Sequence, residues 1–407
     1  MRTIVLVICM FISSVVLAQR ECATQSYINA QKISNPNLSN RLADVETFIQ
    51  HQKANARLNG SGAANVITIP VVVHILYSTP SQNISDAQVK SQIDALNRDF
   101  RRDNADSVNT PERFRALAAD VQIEFTLATA DARGRATTGI VHKKTNVSYW
   151  KSDDNIKFST QGGDDAWDSR YYLNIWVGNL QSVLGYSSLP GGPAEKDGLV
   201  ITASAFGTIN VGGVYNLGRT AVHEVGHWLG LKHIWGDYYC GDDLVDDTPK
   251  QGNFTPGCPN TFRSSCSNGP LGDMYMNYMD YTADACLNLF TEGQKQRMRS
   301  LFNAGGPRNA ILYSKGLNKP WNETVEEMPL PSAKLYPNPA NNEVVLNLDE
   351  SWVGKSVQII SMNGGVSLAI KIISSMQKIN LSSLKPGMYF LRGENGEEKL
   401  REKLVKL

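Results

Sequence analysis

The sequence lacks the features that mark several large classes of protein. It has no excess of charge of either sign, since 40 Lys and Arg nearly balance 39 Asp and Glu. The net charge of +1 gives no electrostatic reason to expect a nucleic acid or an acidic membrane surface as a partner. Beyond the N-terminus no apolar run is long enough to span a bilayer, which excludes a polytopic membrane protein. The 42% of hydrophobic residues is typical of globular domains, and 407 residues suffice for two or three of them.

The apolar run at the N-terminus predicts export. Met1 and Arg2 form a short positive region, residues 4–17 form an apolar core, and Ala18 ends the stretch with a small side chain. We interpret residues 1–18 as a signal peptide that is removed after Ala18, because the run is short for a membrane span. An uncleaved anchor is the alternative.

Composition divides the remaining chain into four parts, of which three are small. Residues 19–58 form a leader with apolar residues at helical spacing, followed by a Gly/Ser/Asn stretch that suits a protease-accessible linker. We expect a propeptide here; a helix packed permanently on the next domain is the alternative. Residues 319–332 are rich in proline and predict a second linker. Residues 333–407 carry short alternating apolar runs separated by turns, which predicts a small all-β, Ig-like sandwich.

The largest part, residues 59–318, mixes strand and helix patterns. Residues 67–77 are β-branched and apolar on both faces, as in a buried central strand. Ser85 then predicts a helix start, with an apolar stripe behind it. Residues 121–128 and 173–177 alternate as further strands. The predicted fold class is therefore α+β, a mixed β-sheet that carries helices.

One motif carries chemistry, the segment HEVGHWLGLKH at residues 223–233. In a helix, His223 and His227 lie four apart on the same face and can direct two imidazoles at one metal ion. Gly230 can adopt a positive φ and end the helix, so that the chain swings His233 back as a third ligand. Three nitrogen ligands leave a fourth position for water, the open geometry of a catalytic zinc. The motif therefore predicts a Zn²⁺ cofactor.

Glu224 stands next to the first of these histidines. A carboxylate in that position can take a proton from the water on the metal, so we expect Glu224 to act as the general base. An amphipathic helix with solvated histidines is the alternative. The combination of residue types is rare by chance, because the whole chain has only 6 histidines.

The pattern HExxHxxGxxH at residues 223–233 resembles the signature of the metzincin zinc peptidases. Metzincins also carry a methionine turn downstream, and NYMDY at residues 277–281 fits it, so the resemblance makes Met279 the methionine beneath the metal. Within the metzincins, the surrounding segments are similar to the secreted pappalysins. The similar segments are LNIWV at 173–177, GG at 191–192, GLVI at 198–201, VDDTP at 245–249, and residues 277–281 running on to Cys286. The resemblance implies a metzincin-type mixed sheet over residues 60–305.

The cysteines are unevenly placed. One of the 6 lies within the predicted signal peptide, Cys22 stands alone in the leader, and four lie close together downstream. Those four permit three pairings, and export makes disulfides chemically allowed. The pappalysin resemblance implies the pairs Cys240–Cys266 and Cys258–Cys286, which would staple the loops around the active site. A zinc site of four thiolates is the alternative, although the spacing contains no CxxC pair.

The same resemblance assigns roles to further residues. It implies that Tyr281 lies near the zinc, where its phenol could donate to a developing oxyanion; a structural tyrosine is the alternative. Asp284 falls in the stretch that walls the pocket for the residue after the scissile bond, where a carboxylate favours Lys or Arg. A surface aspartate is the alternative there. The acidic loop at residues 241–248 offers oxygens for Ca²⁺, with Asp243 and Thr248 as the predicted ligands, or is simply solvated.

Cys22 has a candidate role in latency. A thiolate from a leader can take the fourth position on zinc and displace the water, so that the enzyme stays inactive until the leader is cut. Residues 20–24 resemble the cysteine-switch segment of pappalysin proenzymes, with Ala23 in the place of that segment's glycine. An unpaired exposed thiol or intermolecular pairing is the alternative. Arg57 is a candidate processing site.

The C-terminal part resembles the sorting domain of the type IX secretion system. The resemblance rests on LYPNPA at residues 335–340, ISMNG at 360–364, LKPGMY at 384–389 and a basic tail. It implies passage through the periplasm and across the outer membrane, association with the secretion machinery, and removal of the domain. A binding sandwich that is kept in the mature protein, which could hold it at the cell surface, is the alternative.

Together these features predict a secreted zinc endopeptidase that is made as a latent proenzyme. Its expected partners are protein or peptide substrates, its own propeptide and the secretion machinery, with no nucleic acid and no stable membrane insertion. Two other classes stay open: a non-catalytic adhesin that keeps the fold, and a zinc hydrolase of a non-peptide amide or ester. The intact Glu224 argues against the first, and the methionine turn and the leader argue against the second.

Overall fold

The structure is a computed structural model that describes residues 22–59, 65–320, 333–348, 350–361, 365–395 and 398–407. The predicted signal peptide and most of the second linker lie outside these residues. The chain divides into two compact units, Met1–Asn322 and Glu323–Leu407. In the part that the structure describes, no helix is both long and apolar enough to cross a membrane.

The first unit contains six α-helices and six strands among its described residues. The helices are α1 (Thr24–Ser34), α2 (Asn37–Asn59), α3 (Asp86–Phe100), α4 (Glu112–Arg115), α5 (Arg219–Trp228) and α6 (Glu292–Ser300). The strands are β1 (Ile67–Tyr77), β2 (Ile123–Leu127), β3 (Ile140–Lys144), β4 (Leu173–Gly178), β5 (Gly185–Ser187) and β6 (Leu199–Thr202). Short 3-10 helices occupy Pro80–Gln82, Ala105–Asn109, Asn155–Lys157, Ser159–Gln161, Ala194–Lys196, Ala203–Ala205, Asp284–Cys286 and Asn309–Tyr313.

The six strands form one mixed sheet with β1 at its centre. One edge of β1 pairs in parallel with β2 and then, further along, with β3, while its other edge pairs in parallel with β4. The sheet continues through β6, parallel to β4, and ends at the short strand β5, which is antiparallel to β6. The predicted mixed sheet with helices is confirmed, and β5 is its edge next to the helix α5.

Local sequence accounts for the central elements. All but the two ends of β1 are buried or nearly so, because a strand flanked on both edges and covered on both faces needs apolar side chains throughout. The Ser85 hydroxyl accepts a hydrogen bond from the Gln88 N–H at 3.2 Å and caps α3, as predicted. The apolar stripe of α3 lies fully in the core that it shares with β1 and α5.

The leader forms two helices, α1 and α2, and both pack against the rest of the first unit. Ala23, Tyr27 and Ile28 are buried in an apolar cluster with residues of β4, β5 and β6. From α2, Ile49 is 2% exposed and belongs to the main core.

Two disulfides connect the loops between α5 and α6. They are Cys240–Cys266, separated by 26 residues, and Cys258–Cys286, separated by 28, which are the pairs that the resemblance implies. Loops of this length are stabilised by about 3 kcal/mol in the chain-entropy account of disulfides. Cys22 is the free cysteine of the described chain.

The second unit is an all-β sandwich with a core of its own. Its strands are β7 (Ala333–Tyr336), β8 (Glu343–Leu348), β9 (Ser356–Ser361), β10 (Val366–Lys371), β11 (Met376–Asn380), β12 (Gly387–Asn395) and β13 (Glu398–Lys406), with a 3-10 helix at Glu350–Trp352. They form antiparallel sheets in the orders β10-β9-β12-β13 and β11-β8-β7. Trp352, fully buried, packs in the core between them. The predicted small sandwich is confirmed, although the sequence patterns marked neither β11 nor β13.

Candidate active site

The helix α5 and the turn after it bring three histidines together. His223 and His227 lie one turn apart on α5, and both are buried. Gly230, at a φ of 81°, reverses the chain, and the Leu231 N–H closes the turn on the Gly226 carbonyl at 2.9 Å. The reversal returns His233 to the same point, as the motif predicts.

The three rings meet through the same nitrogen. The Nε2 atom of His227 lies 3.2 Å from Nε2 of His223 and 3.1 Å from Nε2 of His233. The Nδ1 atoms face acceptors: the Tyr278 carbonyl at 2.7 Å, the Leu231 carbonyl at 2.9 Å and the Asp237 carboxylate. Each Nδ1 therefore carries the proton, which leaves each Nε2 lone pair free to bind a metal.

The electrostatics also favour a neutral ring at His227. Burial and the neighbouring His233 lower the pKa of His227 to about 3. For Asp237, burial acts to raise the pKa, but the hydrogen bond from His233 outweighs it and the pKa is lowered. An ionised Asp237 thus holds His233 in place, which is the usual arrangement behind a metal-binding histidine.

Cys22 of the leader completes the set. Its sulfur and the ligand nitrogens of His223, His227 and His233 all lie within 4.8 Å of one another. Three neutral imidazoles and one thiolate are a tetrahedral donor set that fits Zn²⁺. Burial, and then the Glu224 carboxylate, raise the pKa of the Cys22 thiol, so a thiolate in this place needs a cation beside it.

Met279 lies against the underside of α5. A Cβ on Gly226 would come 2.5 Å from the Met279 sulfur, so only glycine at position 226 lets the methionine approach. The Met279 N–H donates to the Asn277 side chain at 2.9 Å, and its carbonyl accepts from Ile234 in the turn that carries His233. The predicted turn methionine thus lies against the helix that carries His223 and His227.

Tyr281 lies beside the histidines with its phenol directed at the leader. Its ring packs edge-on against His233 at 5.0 Å between centroids, and its hydroxyl donates to the Cys22 carbonyl at 3.2 Å. Burial, and then the charges of Cys22 and Glu224, raise the pKa of this phenol, so that it remains a donor.

Glu224 is engaged by the leader as well. The Thr24 hydroxyl donates to the Glu224 carboxylate at 2.8 Å and accepts from the Ser187 N–H at 2.9 Å. Thr24 is 3% exposed, so this contact is closed to water. Next to it, the Ala23 N–H donates to the Gly185 carbonyl at 3.0 Å, and the leader thereby pairs with the free edge of β5.

Asp284, the predicted pocket residue, lies at the start of α5 and is not the surface aspartate of the alternative. Its carboxylate is fully buried and accepts from the N–H groups of Leu217, at 2.8 Å, and Arg219, at 3.2 Å. A carboxylate so placed caps the start of α5, and its negative charge interacts favourably with the positive, N-terminal end of the helix dipole. These bonds use one carboxylate oxygen, Oδ2, and a role of Asp284 in the pocket for the residue after the scissile bond stays a prediction.

Asp243 and Thr248, the predicted calcium ligands, are neighbours in a buried turn. The Thr248 hydroxyl lies 2.9 Å from each oxygen of the Asp243 carboxylate, and burial raises the pKa of Asp243 to about 7. Among the described residues, the histidine cluster with Cys22 is the group of three or more His, Cys, Asp or Glu side chains that converge on one point. Calcium binding at Asp243 stays a prediction.

Sequence reasoning missed three contributors to the site. Asp237 lies four residues after His233, a spacing that could have indicated a partner for its ring. Thr24 lies two residues after Cys22. Its contact could have been predicted by assuming that the residues next to Cys22 also fill the site. The edge of β5 carried no signal, because a strand of three residues is too short to leave a periodic pattern.

Two family models match the chain. The model described as "Pregnancy-associated plasma protein-A" matches residues 157–303, and the model described as "Secretion system C-terminal sorting domain" matches residues 334–407. An extracellular metalloprotease of Pyricularia oryzae is 33% identical over 282 residues, which are 66% of this chain and 87% of the relative. One from Colletotrichum graminicola is 31% identical over 72% of this chain and 93% of its own length.

Solved structures agree with these matches. A Tannerella forsythia promirolysin mutant is 44% identical, covers 72% of this chain and 97% of its own, and superposes with a TM-score of 0.67. Mature mirolysin in complex with a cleaved peptide is 49% identical over 61% of this chain and 97% of its own, with a TM-score of 0.60.

The chain belongs to the pappalysin family of metzincin metallopeptidases. It is a secreted metalloendopeptidase, and its last domain is a sorting domain of the type IX secretion system. The family implies zinc, and the donor set of the histidine cluster fits that ion.

Proposed function

We propose that the chain is a zinc endopeptidase in which His223, His227 and His233 hold the metal ion and Glu224 is the general base. The convergence of three neutral imidazoles, with their Nε2 atoms about one point, is the observation that supports this most strongly. When bound, zinc supplies a water nucleophile near neutral pH and polarises the carbonyl of the substrate.

The residues of the chain supply the rest of the reaction. Glu224 takes a proton from the attacking water and passes it to the leaving amine. Tyr281, once released from the Cys22 carbonyl, donates its phenol proton to the developing oxyanion. The free edge of β5 orients an extended peptide through the Gly185 carbonyl and the Ser187 N–H. Met279 supports the floor of the site.

The leader blocks each of these functions at once. Cys22 would be a further ligand of the metal ion beside the three histidines, Thr24 binds Glu224, and the Cys22 carbonyl accepts the hydrogen bond of the Tyr281 phenol. Ala23 and Thr24 also cover the edge of β5. We infer that the chain is made latent by this segment, with Cys22 as the switch, and that cutting the leader starts activity. Promirolysin, a proenzyme by name, is similar over the same part of the chain.

Two further assignments belong to the proposal. Calcium would bind at the buried turn of Asp243 and Thr248 and stiffen the loop before α6. The C-terminal domain would be removed, or would hold the enzyme at the cell surface, after crossing of the outer membrane.

A digest of a denatured protein mixture tests the function. The proenzyme is processed, its leader removal is checked by mass, and new peptide termini are mapped beside those from the Glu224→Ala variant. We expect new termini only from the wild type, with zinc bound equally by both proteins, because alanine removes the base and leaves the ligands.

Three outcomes would contradict the proposal. Equal digests with zinc present would favour a binding protein that keeps the peptidase fold. Cleavage of small amide or ester substrates without any cleavage of peptides would favour a non-peptide hydrolase. Loss of zinc from Glu224→Ala would mean that a ligand has been assigned wrongly.

A further inference from the structure

The leader fills a second cavity besides the metal site. Tyr27 of α1 is 3% exposed, and its ring packs on Tyr186 of β5 at 4.9 Å between centroids. The phenol reaches the Asp154 carboxylate, at 2.9 Å and 3.0 Å from its two oxygens. Burial, and then the Asp154 charge, raise the pKa of Tyr27, so the phenol stays protonated and donates.

The wall of this cavity is built from buried charged groups of the catalytic domain. Asp154 is 1% exposed and pairs with the ammonium of Lys157 at 2.8 Å, while Lys157 itself is fully buried. Lys196 approaches the same carboxylate at 3.2 Å, and its backbone carbonyl accepts from Lys157 at 2.8 Å. The Lys157 ammonium also lies over the Tyr27 and Tyr186 rings, at 5.1 Å from each.

These groups stay behind when the leader departs. The two leader side chains bonded to Asp154 are Tyr27 and Gln31, the latter at 2.8 Å. Their loss opens an aromatic cavity whose inner end holds a carboxylate acceptor flanked by two ammonium groups. An apolar cavity that ends in a few convergent polar groups is the usual form of a side-chain binding site.

The cavity adjoins the path that a substrate takes. Ala23 and Tyr27 belong to one buried cluster with Tyr186, and the Ala23 N–H pairs with Gly185, next to Tyr186 on β5. A peptide bound along this edge of β5 therefore presents a side chain to the space where Ala23 and Tyr27 lie. The cavity is thus within reach of one substrate residue on one side of the scissile bond.

We propose that the cavity vacated by Tyr27 is a specificity subsite of the mature enzyme that takes a tyrosine side chain of the substrate. This inference rests on the proposed peptidase function. A tyrosine ring matches the aromatic walls, and its hydroxyl can donate to Asp154 while it accepts from Lys157, as Tyr27 does at 3.4 Å. A phenylalanine side chain would pack against the same aromatic walls, but it would leave the Asp154 carboxylate without the hydroxyl donor. The charges of Lys157 and Lys196 oppose a basic side chain.

Cleavage profiling of the mature enzyme tests the subsite. A peptide library with randomised positions on both sides of the cut is digested, and the cleaved peptides are sequenced. We expect tyrosine to be enriched at one position. Two peptides that differ only by Tyr or Phe at that position should then differ about tenfold in kcat/KM, as one hydrogen bond to a charged group contributes.

Matched variants assign the preference to the cavity. Asp154→Asn keeps an acceptor but removes its charge, so it should lower the Tyr-to-Phe ratio to about threefold. Asp153→Asn, the same change at the neighbouring exposed residue, should keep the ratio of the wild type. If Asp154→Asn does not fold, the Tyr and Phe peptides with the wild-type enzyme still decide, because they need no variant.

A binding measurement gives a second readout that does not depend on turnover. A peptide of residues 22–34 is titrated into the mature Glu224→Ala protein, and the Tyr27→Phe peptide should bind about tenfold more weakly. Equal binding of the two peptides, or cleavage without any positional preference for tyrosine, would overturn the subsite. Failure of the wild type to cut any peptide would instead overturn the proposed function, and the two failures are therefore distinguishable.

Discussion

The two helices of the leader contact the same domain by different means. At the start of α1, Cys22, Thr24 and Tyr27 enter the active site and its neighbouring cavity, where the contacts are buried. Helix α2 lies along α6, held by ion pairs and apolar packing. Its contacts include the pairs Glu46–Arg297 and Lys53–Asp246, a hydrogen bond from Arg41 to the Gly191 carbonyl at 2.9 Å, and the buried Ile49.

The two helices therefore have different roles: the start of α1 blocks the site, and α2 holds the leader on the domain. The α1 side uses groups that the chemistry needs, so its loss should change activity directly. The α2 side uses contacts remote from the reacting atoms, so its loss should change how long the leader stays bound. One residue links the two, because Arg297 also donates to the Gly230 carbonyl at 2.8 Å, in the turn that carries His233.

The largest effect is expected on the blocking side, from Cys22→Ala in the full proenzyme. Loss of a charged ligand bond of about 3 kcal/mol corresponds to about 100-fold in rate, so the variant should cut a peptide before its leader is removed. Initial rates are measured while gels show an intact leader. The control is the Cys22→Ala/Glu224→Ala double variant, which should be silent. A single variant as latent as the wild type would contradict the switch.

Thr24→Val should give a smaller effect at the same end of the leader. Valine keeps the shape of threonine but removes the hydrogen bond to Glu224, which is expected to raise the activity of the intact proenzyme about tenfold. Thr24→Ser retains a hydroxyl and serves as the control. If valine and serine behave alike, the hydroxyl does not restrain the base.

On the holding side, Glu46→Gln should loosen α2 without opening the site. The pair with Arg297 is partly exposed at Glu46, so we expect backbone hydrogen exchange in α2 to rise by only about threefold. Activity of the intact proenzyme should change less than in either α1 variant. Asp44→Asn removes an exposed charge from the same helix and should have no effect. Equal exchange in the two variants would show that the ion pair does not hold the helix.

The smallest effect is expected for the pH dependence of the Glu46–Arg297 ion pair. Burial acts to raise the pKa of Glu46, but its hydrogen bond from Arg297 and the charge of Arg297 outweigh it and lower the pKa below 4.5. A lowered pKa means that the stabilisation is fully present above about pH 4.5 and is lost as the pH falls through the lower value. The protection factors of the α2 amides, which correct for the slower chemical exchange in acid, should therefore fall on acidification below pH 4.5, and Glu46→Gln should lack that component. If the wild type and the variant had the same pH profile, the ionisation of Glu46 would not stabilise α2.

Much of the candidate site could be predicted because its spacing is short. His223 and His227 are one helical turn apart, and Gly230 is the residue that can reverse the chain, so periodicity and backbone freedom bring His233 to the same point. Met279 and the two disulfides came from the resemblance, and the structure has the methionine beneath α5 and both pairs bridged. The central strand and the Ser85 cap followed from apolar pattern and capping chemistry.

The features that prediction missed depend on contacts between distant segments. The carboxylate of Asp284 caps α5, more than sixty residues earlier in the chain, and no local pattern predicts that contact. The strands β11 and β13 are rich in charged and polar residues, and only their pairing with β8 and β12 makes them strands. Thr24 reaches Glu224 across 200 residues of sequence.

The sequence by itself predicted the catalytic motif, the division into leader, peptidase and sorting domain, and the buried strand at the centre of the sheet. These features depend on periodicity and local backbone chemistry, which involve residues close together in the chain. Only the tertiary structure decided what the leader binds. The contacts of Thr24 with Glu224 and of Tyr27 with Asp154 depend on how α1 meets the edge of β5. Side chains that are far apart in sequence act together only when folding brings them into contact. No local sequence pattern indicates which distant residues will meet.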